Sequence, residues 1–157
     1  MVDHYYSIQA YRPIKLKLFD PSIPAPDYAH GKEKSDWLDL RSRTTVELKK
    51  GDYFEICLNV AMELPPGYEA WIVPRSSTYK QYGLIPTTSM SVIDHSYCGD
   101  EDEWHFPVIA CRDTIIHKGD RICQFRIHQN QYPLVFNIVD KLYNPSRGSF
   151  GTTGRQP

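Results

Sequence analysis

The sequence predicts an all-β fold, a sandwich or barrel-like arrangement of short strands. Three observations predict it. Short apolar segments alternate with a period of two, which is the strand signal. Twelve prolines and nine glycines punctuate the 157 residues at short intervals. Helical periodicity sustained over three turns is absent. Many short strands separated by frequent turns are the pattern of sandwiches and barrels.

Each element follows from its residues. Ile14, Leu16 and Leu18 alternate with Lys15 and Lys17, which predicts a first strand. Phe54, Ile56, Leu58 and Val60 alternate with Glu55, Cys57 and Asn59, which predicts a single strand over 54–60. Ile122, Phe125 and Ile127 mark another, with looser alternation. Lys50-Gly51-Asp52 precedes YFEICLNV, and Lys118-Gly119-Asp120 precedes RICQFRIH. Each reads as a turn feeding a strand, so the chain has two similar corners. The exception to the β pattern is PRSSTYKQYG at 74–83. Ser76 or Ser77 can cap a short helix there, and Gly83 can end it. The closing stretch NPSRGSFGTTGRQP has the composition of a flexible arm. The expected organisation is one domain over 1–157, with a β-core to about 143 and an arm from about 144.

Composition bounds the function. A chain of 157 residues can bury about 70% of its unfolded surface. Eighteen Lys and Arg balance nineteen Asp and Glu, a net charge of −1. That balance argues against a nucleic-acid coat and against a polybasic membrane anchor. No apolar run approaches the ~20 residues of a spanning helix. The N-terminus lacks a basic flank followed by an apolar core, so no signal peptide is expected and the cytoplasm is the expected compartment. Four cysteines without a CxxC pair do not make a disulfide scaffold. His95 and Cys98 form an HxxC pair, but a zinc site would need Cys111 or Cys123 to converge on it. Buried, small apolar cysteines are the preferred reading. The acidic run Asp100–Glu103 reads as a solvated strand edge or loop, and Tyr11, Trp71 and Tyr132 as core or rim aromatics.

Four segments can carry chemistry. In PRSSTYKQYG, Arg75 and Ser76 at a helix start suit an anion, although an ordinary capped turn has the same residues. In SMSVIDHSYCG, Asp94 follows the apolar pair Val92-Ile93 beside Tyr97. A carboxylate there can orient and deprotonate a water, or simply close a tight turn. In GDRICQF, Arg121 and Gln124 can face a polar ligand or form a polar strand face. In RGSFGTTG, Gly148, Gly151 and Gly154 allow close backbone approach, Phe150 can stack on a base, and Arg147, Thr152 and Thr153 can contact phosphate.

Together with SDWLDLRS at 35–42, these four segments resemble, in order, the five motifs of the trimeric dUTPase family. SDWLDLRS at 35–42 is similar to the first, PRSSTYKQYGLI at 74–85 to the second and SVIDHSYCG at 91–99 to the third. GDRICQF and RGSFGTTG are similar to the fourth and fifth. The resemblance spans about residues 35 to 154. It implies a β-clip, a distorted jelly-roll-like barrel with one short helix after the PRSS segment. It implies hydrolysis of dUTP to dUMP and pyrophosphate, with Mg²⁺ held mainly by the triphosphate. Asp94 would activate the attacking water. Arg75, Ser76, Ser77 and Gln124 would hold phosphates, and Tyr97 would pack on the deoxyribose and exclude a 2′-hydroxyl. Backbone groups from Thr88 to Val92 would read the uracil edge. Asp39 would reach the waters around Mg²⁺. Arg147 and Thr152 would close on the γ-phosphate, with Phe150 and Gly151 covering the base. The family builds each site from three chains, so a homotrimer is implied.

Two other readings remain at this point. A dCTP deaminase, or a bifunctional deaminase–diphosphatase, has a similar RSS segment, usually with Arg where this chain has Lys80, and a catalytic Glu after the third motif. Glu101 and Glu103 lie near that place. A nucleotide-sensing regulator without turnover is the other, and the presence of Asp94 argues against it.

Overall fold

The computed structural model describes residues 13–148. Within them, twelve strands and one short helix surround a single apolar core. β1 (Lys15–Leu18) pairs with β6 (Val60–Glu63). β4 (Val46–Leu48) pairs with β11 (Thr114–Ile116). β5 (Tyr53–Cys57), β10 (His105–Ala110) and β8 (Leu84–Pro86) form a three-stranded sheet in that order. The largest sheet has five strands: β2 (Asp27–Tyr28), β3 (Leu38–Arg41), β12 (Arg121–Gln129), β7 (Tyr68–Pro74) and β9 (Ser91–Ile93). Every pairing is antiparallel. The all-β, jelly-roll-like expectation holds, and the helix α1 (Thr78–Tyr82) follows the PRSS segment as expected. Among the described residues no helix is long and apolar enough to cross a membrane.

All four sheets feed the core. Leu40, Ile56, Ile72, Phe106, Val108, Ile116 and Ile122 are almost fully buried. Trp104 is buried at its centre and meets Phe125 edge-to-face at 5.3 Å. Such aromatic pairs add to what area burial alone gives.

The single strand expected over 54–60 is instead two. β5 ends at Cys57 and β6 starts at Val60, in different sheets. The break sits at Asn59, whose φ is +68°. Asn tolerates the left-handed region better than other non-glycine residues. Both ends of its buried amide are engaged: Oδ1 accepts from Asp20 N at 2.7 Å and Nδ2 donates to Asp20 O at 3.1 Å. Apolar alternation continues across the break because both strands face the same core, so periodicity alone did not reveal it.

Looser alternation in the last strand also has a cause. Its register against β3 shifts between Arg121 and Cys123, a bulge that lets Ile122 and Cys123 both reach the core. The two KGD corners share one geometry. Asp52 Oδ2 accepts from Lys49 N at 2.8 Å, and Asp120 Oδ2 accepts from His117 N at 2.9 Å. Asp52 N donates back to Lys49 O, and Asp120 N to His117 O, both at 3.0 Å. The strands entering these corners, β4 and β11, pair with each other.

Strand structure ends at Gln129, and residues 131–148 lie exposed without helix or strand. Tyr132, expected in the core or at its rim, is 79% exposed, whereas Trp71 is half-buried and stacks on His128 at 3.7 Å.

Asn59→Ala should lower the unfolding free energy by about 2–4 kcal/mol, from left-handed strain and lost buried hydrogen bonds. Asn59→Gly should recover about 1 kcal/mol of that loss, because glycine carries no Cβ penalty there. Urea unfolding of both variants checks the order.

Candidate active site

The expected site residues gather in two groups. The first is built on the five-stranded sheet, where β12 lies between β3 and β7. Gln124 is the direct cross-strand partner of both Asp39 and Val73. That register brings the first, second and fourth motif segments together. Asp39 is 2% exposed and holds two guanidiniums: Arg75 Nε at 2.8 Å from Oδ1 and Arg121 Nη1 at 3.2 Å from Oδ2. Two cations against one carboxylate leave the cluster with a net positive charge. Gln124 Nε2 donates to Pro74 O at 3.2 Å, and Arg75 Nη1 reaches Arg121 O at 3.3 Å. Arg121 therefore lies beside Arg75 and Gln124, two of the residues expected to hold phosphates.

The start of α1 differs from the expectation. Ser77 occupies the cap position but makes no side-chain cap hydrogen bond. Thr78, buried, does the work: its Oγ1 accepts from Arg75 N at 2.9 Å and donates to Ile122 O at 2.7 Å. This ties the helix start to β12 and leaves Ser76 exposed. With only five residues the helix has little macrodipole, so the guanidiniums carry the electrostatics here. Gly83 ends the helix at φ +66°, its N–H bonding Tyr79 O at 2.7 Å. A Cβ there would stand 2.7 Å from Arg112 Cγ, whose guanidinium caps the carbonyls of Lys80 and Gln81.

The second group lines a cavity of about 430 Å³. Thr88, Val92, Asp94 and Tyr97 all contribute to its wall. Asp94 sits directly after β9, as the strand-end reading required. Its backbone carbonyl accepts from Tyr97 N at 3.0 Å, so it does close a tight turn. Yet that turn uses only the backbone, and the exposed Asp94 carboxylate has no hydrogen bond or ion pair among the described residues. Tyr97 donates from its hydroxyl to Glu103 O at 3.2 Å. Burial, with Asp102 and Glu103 adding, raises the Tyr97 phenol above its ordinary value, so it stays protonated at neutral pH. Thr88 Oγ1 lies 3.2 Å from Ser91 Oγ.

The opposite wall was not legible as a site. Tyr53 and Glu55 of β5, and His105 and Pro107 of β10, line it at alternate positions, with Glu103 just before β10. A period-two count outward from the core residues Ile56, Phe106 and Val108 would have placed them on one outer face. Glu103 also departs from the solvated loop expected of the acidic run. It is 5% exposed, with Oε1 accepting from Arg43 Nε at 2.8 Å and Asn59 N at 2.9 Å. Asp100 and Glu101 are exposed as expected.

The cavity wall contains none of Asp39, Arg75, Arg121 or Gln124. Arg147 is exposed and outside any strand. Phe150, Gly151 and Thr152 lie outside the described residues. A second cavity of equal volume, lined by Ile14, Leu16, Leu38, Met62, Phe125 and Ile127 among others, carries none of the expected residues. The HxxC cysteine does not meet its proposed partners: Cys98 is exposed and Cys123 fully buried. Burial, reinforced by Asp39, holds the Cys123 thiol well above its ordinary value, an inert core group.

Asp39→Asn should destabilise the fold by about 3 kcal/mol, since it strands the Arg75 charge without its buried partner. Denaturant unfolding measures this, and a loss below about 1 kcal/mol would show that solvent screens the cluster.

The family model for dUTPase matches residues 24–154. The SPbeta prophage-derived deoxyuridine 5'-triphosphate nucleotidohydrolase YosS of Bacillus subtilis is 56% identical over 122 residues, 78% of this chain and 86% of that protein. The deoxyuridine 5'-triphosphate nucleotidohydrolase of Thermobifida fusca is 31% identical over 143 residues, 90% of this chain and 78% of that protein. Among solved structures, a Staphylococcus bacteriophage 80alpha dUTPase with bound dUpNHpp superposes with a TM-score of 0.74 at 20% identity, covering 92% of this chain and 99% of that one. A mutant dUTPase from phage phi11 of S. aureus, described as coordinating a structural Mg(II) ion, superposes with a TM-score of 0.71 at 18% identity, covering 83% of this chain and 99% of that one. Those structures establish a shared fold, and the sequence match over most of the chain goes further: this chain belongs to the dUTPase family.

Proposed function

We propose that the chain hydrolyses dUTP to dUMP and pyrophosphate in the cytoplasm, as a homotrimer whose sites combine residues from neighbouring copies. The observation that carries this is Asp94, an exposed carboxylate without a side-chain partner among the described residues, in the wall of a nucleoside-sized cavity. Asp94 accepts a proton from a water as that water attacks the α-phosphorus in line. The new P–O bond forms as the bond to the bridging α–β oxygen breaks, and pyrophosphate leaves. Backbone groups from Thr88 to Val92 read the uracil edge, and Tyr97 packs on the deoxyribose where a 2′-hydroxyl would clash. Arg75, Ser76, Ser77 and Gln124 bind phosphate oxygens, with Arg121 adding a second guanidinium. Arg147 and Thr152 close on the γ-phosphate, and Phe150 with Gly151 covers the base and excludes water.

The donor chemistry at Asp39 fits the water shell of Mg²⁺. A carboxylate offers about four acceptor positions, and the two guanidinium contacts use two. When bound, Mg²⁺ neutralises charge on the triphosphate. Phosphate oxygens draw Arg75 and Arg121 toward themselves and so free the Asp39 carboxylate for that shell.

Two observations support the homotrimer. The Asp94 cavity and the Asp39 cluster share no residue, so a copy that supplies one to each site leaves the other for a neighbour. The stretch after β12 is also strongly apolar yet bare: Val135 is 97% and Ile138 94% exposed. A run of this kind marks a protein–protein contact.

Incubation with Mg²⁺ and each of dUTP, dCTP, dTTP and UTP should release pyrophosphate from dUTP alone. Ammonia from dCTP would move the assignment to a deaminase, and tight dUTP binding without turnover to a regulator. Asp94→Asn should lose most of kcat and keep dUTP affinity, because it removes the base and little volume. Near-normal kcat in that variant would sink the role. Deleting residues 147–157 should abolish turnover and leave the thermal unfolding transition in place. Light scattering should give three times the mass of one chain.

A further inference from the structure

β5 and β10, which form one wall of the cavity, run antiparallel with Cys57 directly opposite His105. Direct partners of this kind share a face with Cβ atoms about 4.5–5.5 Å apart. Glu103, two residues before His105, reaches the same place. One ligand atom from each of Cys57, Glu103 and His105 lies within 4.8 Å of the other two. We propose that these three side chains form a transition-metal site taking Zn²⁺ or a divalent ion of similar softness.

The ligand chemistry selects the ion. A thiolate, an imidazole and a carboxylate suit Zn²⁺ and disfavour Mg²⁺, which takes oxygen ligands. Bonds of about 2.0–2.3 Å to a tetrahedral ion place ligand atoms roughly 3.3–3.8 Å apart, so side-chain rotation closes the set. Glu103 is already oriented for the task. Its Oε1 is occupied by Arg43 Nε and Asn59 N, which leaves Oε2 for the ion. Arg43 N also holds Cys57 O at 2.9 Å, fixing the strand that carries the thiol. Zn²⁺ with one thiolate and one carboxylate is neutral, so the Arg43 charge faces no net cation. Three protein ligands leave a fourth position open, the arrangement of an open zinc site.

Co²⁺ titrated into the reduced full chain, with Mg²⁺ in excess, tests the site without any nucleotide reaction. One equivalent should produce a thiolate-to-cobalt charge-transfer absorption that Zn²⁺ abolishes. Cys57→Ser should remove that absorption, and His105→Gln should weaken Co²⁺ binding by more than the about 10–100-fold expected of an outer-shell partner. No charge-transfer absorption in the unaltered chain overturns the proposal, and so does one that persists in Cys57→Ser, which would assign the thiolate to another cysteine such as the exposed Cys98. Should Cys57→Ser change the far-ultraviolet circular dichroism, alkylation of the unaltered chain decides. Zn²⁺ protecting Cys57 supports the site, and equal rates with and without Zn²⁺ overturn it.

Discussion

The buried carboxylate of Asp39 is the constraint on which the first half of the candidate site depends. It sits on β3, accepts Arg75 from the end of β7 and Arg121 from the start of β12, and is 2% exposed. A lone buried carboxylate would be costly, and so would Arg75 at 18% side-chain exposure without a counter-charge. Each makes the other tolerable. The result is two guanidiniums held in position with one positive charge in surplus. That is a way to bind a polyanion from a chain whose net charge is −1. Charge is placed locally, and the surface as a whole need not be basic.

A second buried carboxylate organises the other half. Glu103 takes the backbone N–H of Asn59 and the Arg43 guanidinium on one oxygen. Asn59 is where the chain leaves the β5 sheet for the β1–β6 pair, so the interaction locks a crossing point. It also fixes the cavity wall opposite Asp94, and through Glu103 O it holds the Tyr97 hydroxyl. Fold and site are thus coupled at a single residue that the acidic run concealed. In sequence, Glu103 is the last of four acids; in space it is the one that burial and two donors separate from the rest.

The Asp94 cavity and the cationic Asp39 cluster are both present, yet the first is not lined by the second. The apolar stretch beyond Gln129 likewise finds no cover among the described residues. Both features fit the assembly of identical copies proposed above. A site divided between copies would be complete only when the assembly is, which would link the energetics of association to the chemistry.

Much was legible in the residues themselves. Period-two alternation, proline and glycine spacing and the paired KGD corners follow from local backbone chemistry, and the β-class with its short helix came from them. So did Asp94 at a strand end and Arg75 before a helix, because those placements rest on a few consecutive residues. Register and sheet membership were not local. Asn59 splits an apolar run that reads as continuous, because alternation reports which face is buried and not which sheet a strand joins. The Asp39–Arg75–Arg121 cluster joins residues far apart in sequence through β12, and no short-range pattern encodes that pairing. The meeting of Cys57, Glu103 and His105 depends on the antiparallel register of β5 and β10. Local sequence decides what each segment can be, and only the long-range pairing of strands decides which side chains meet.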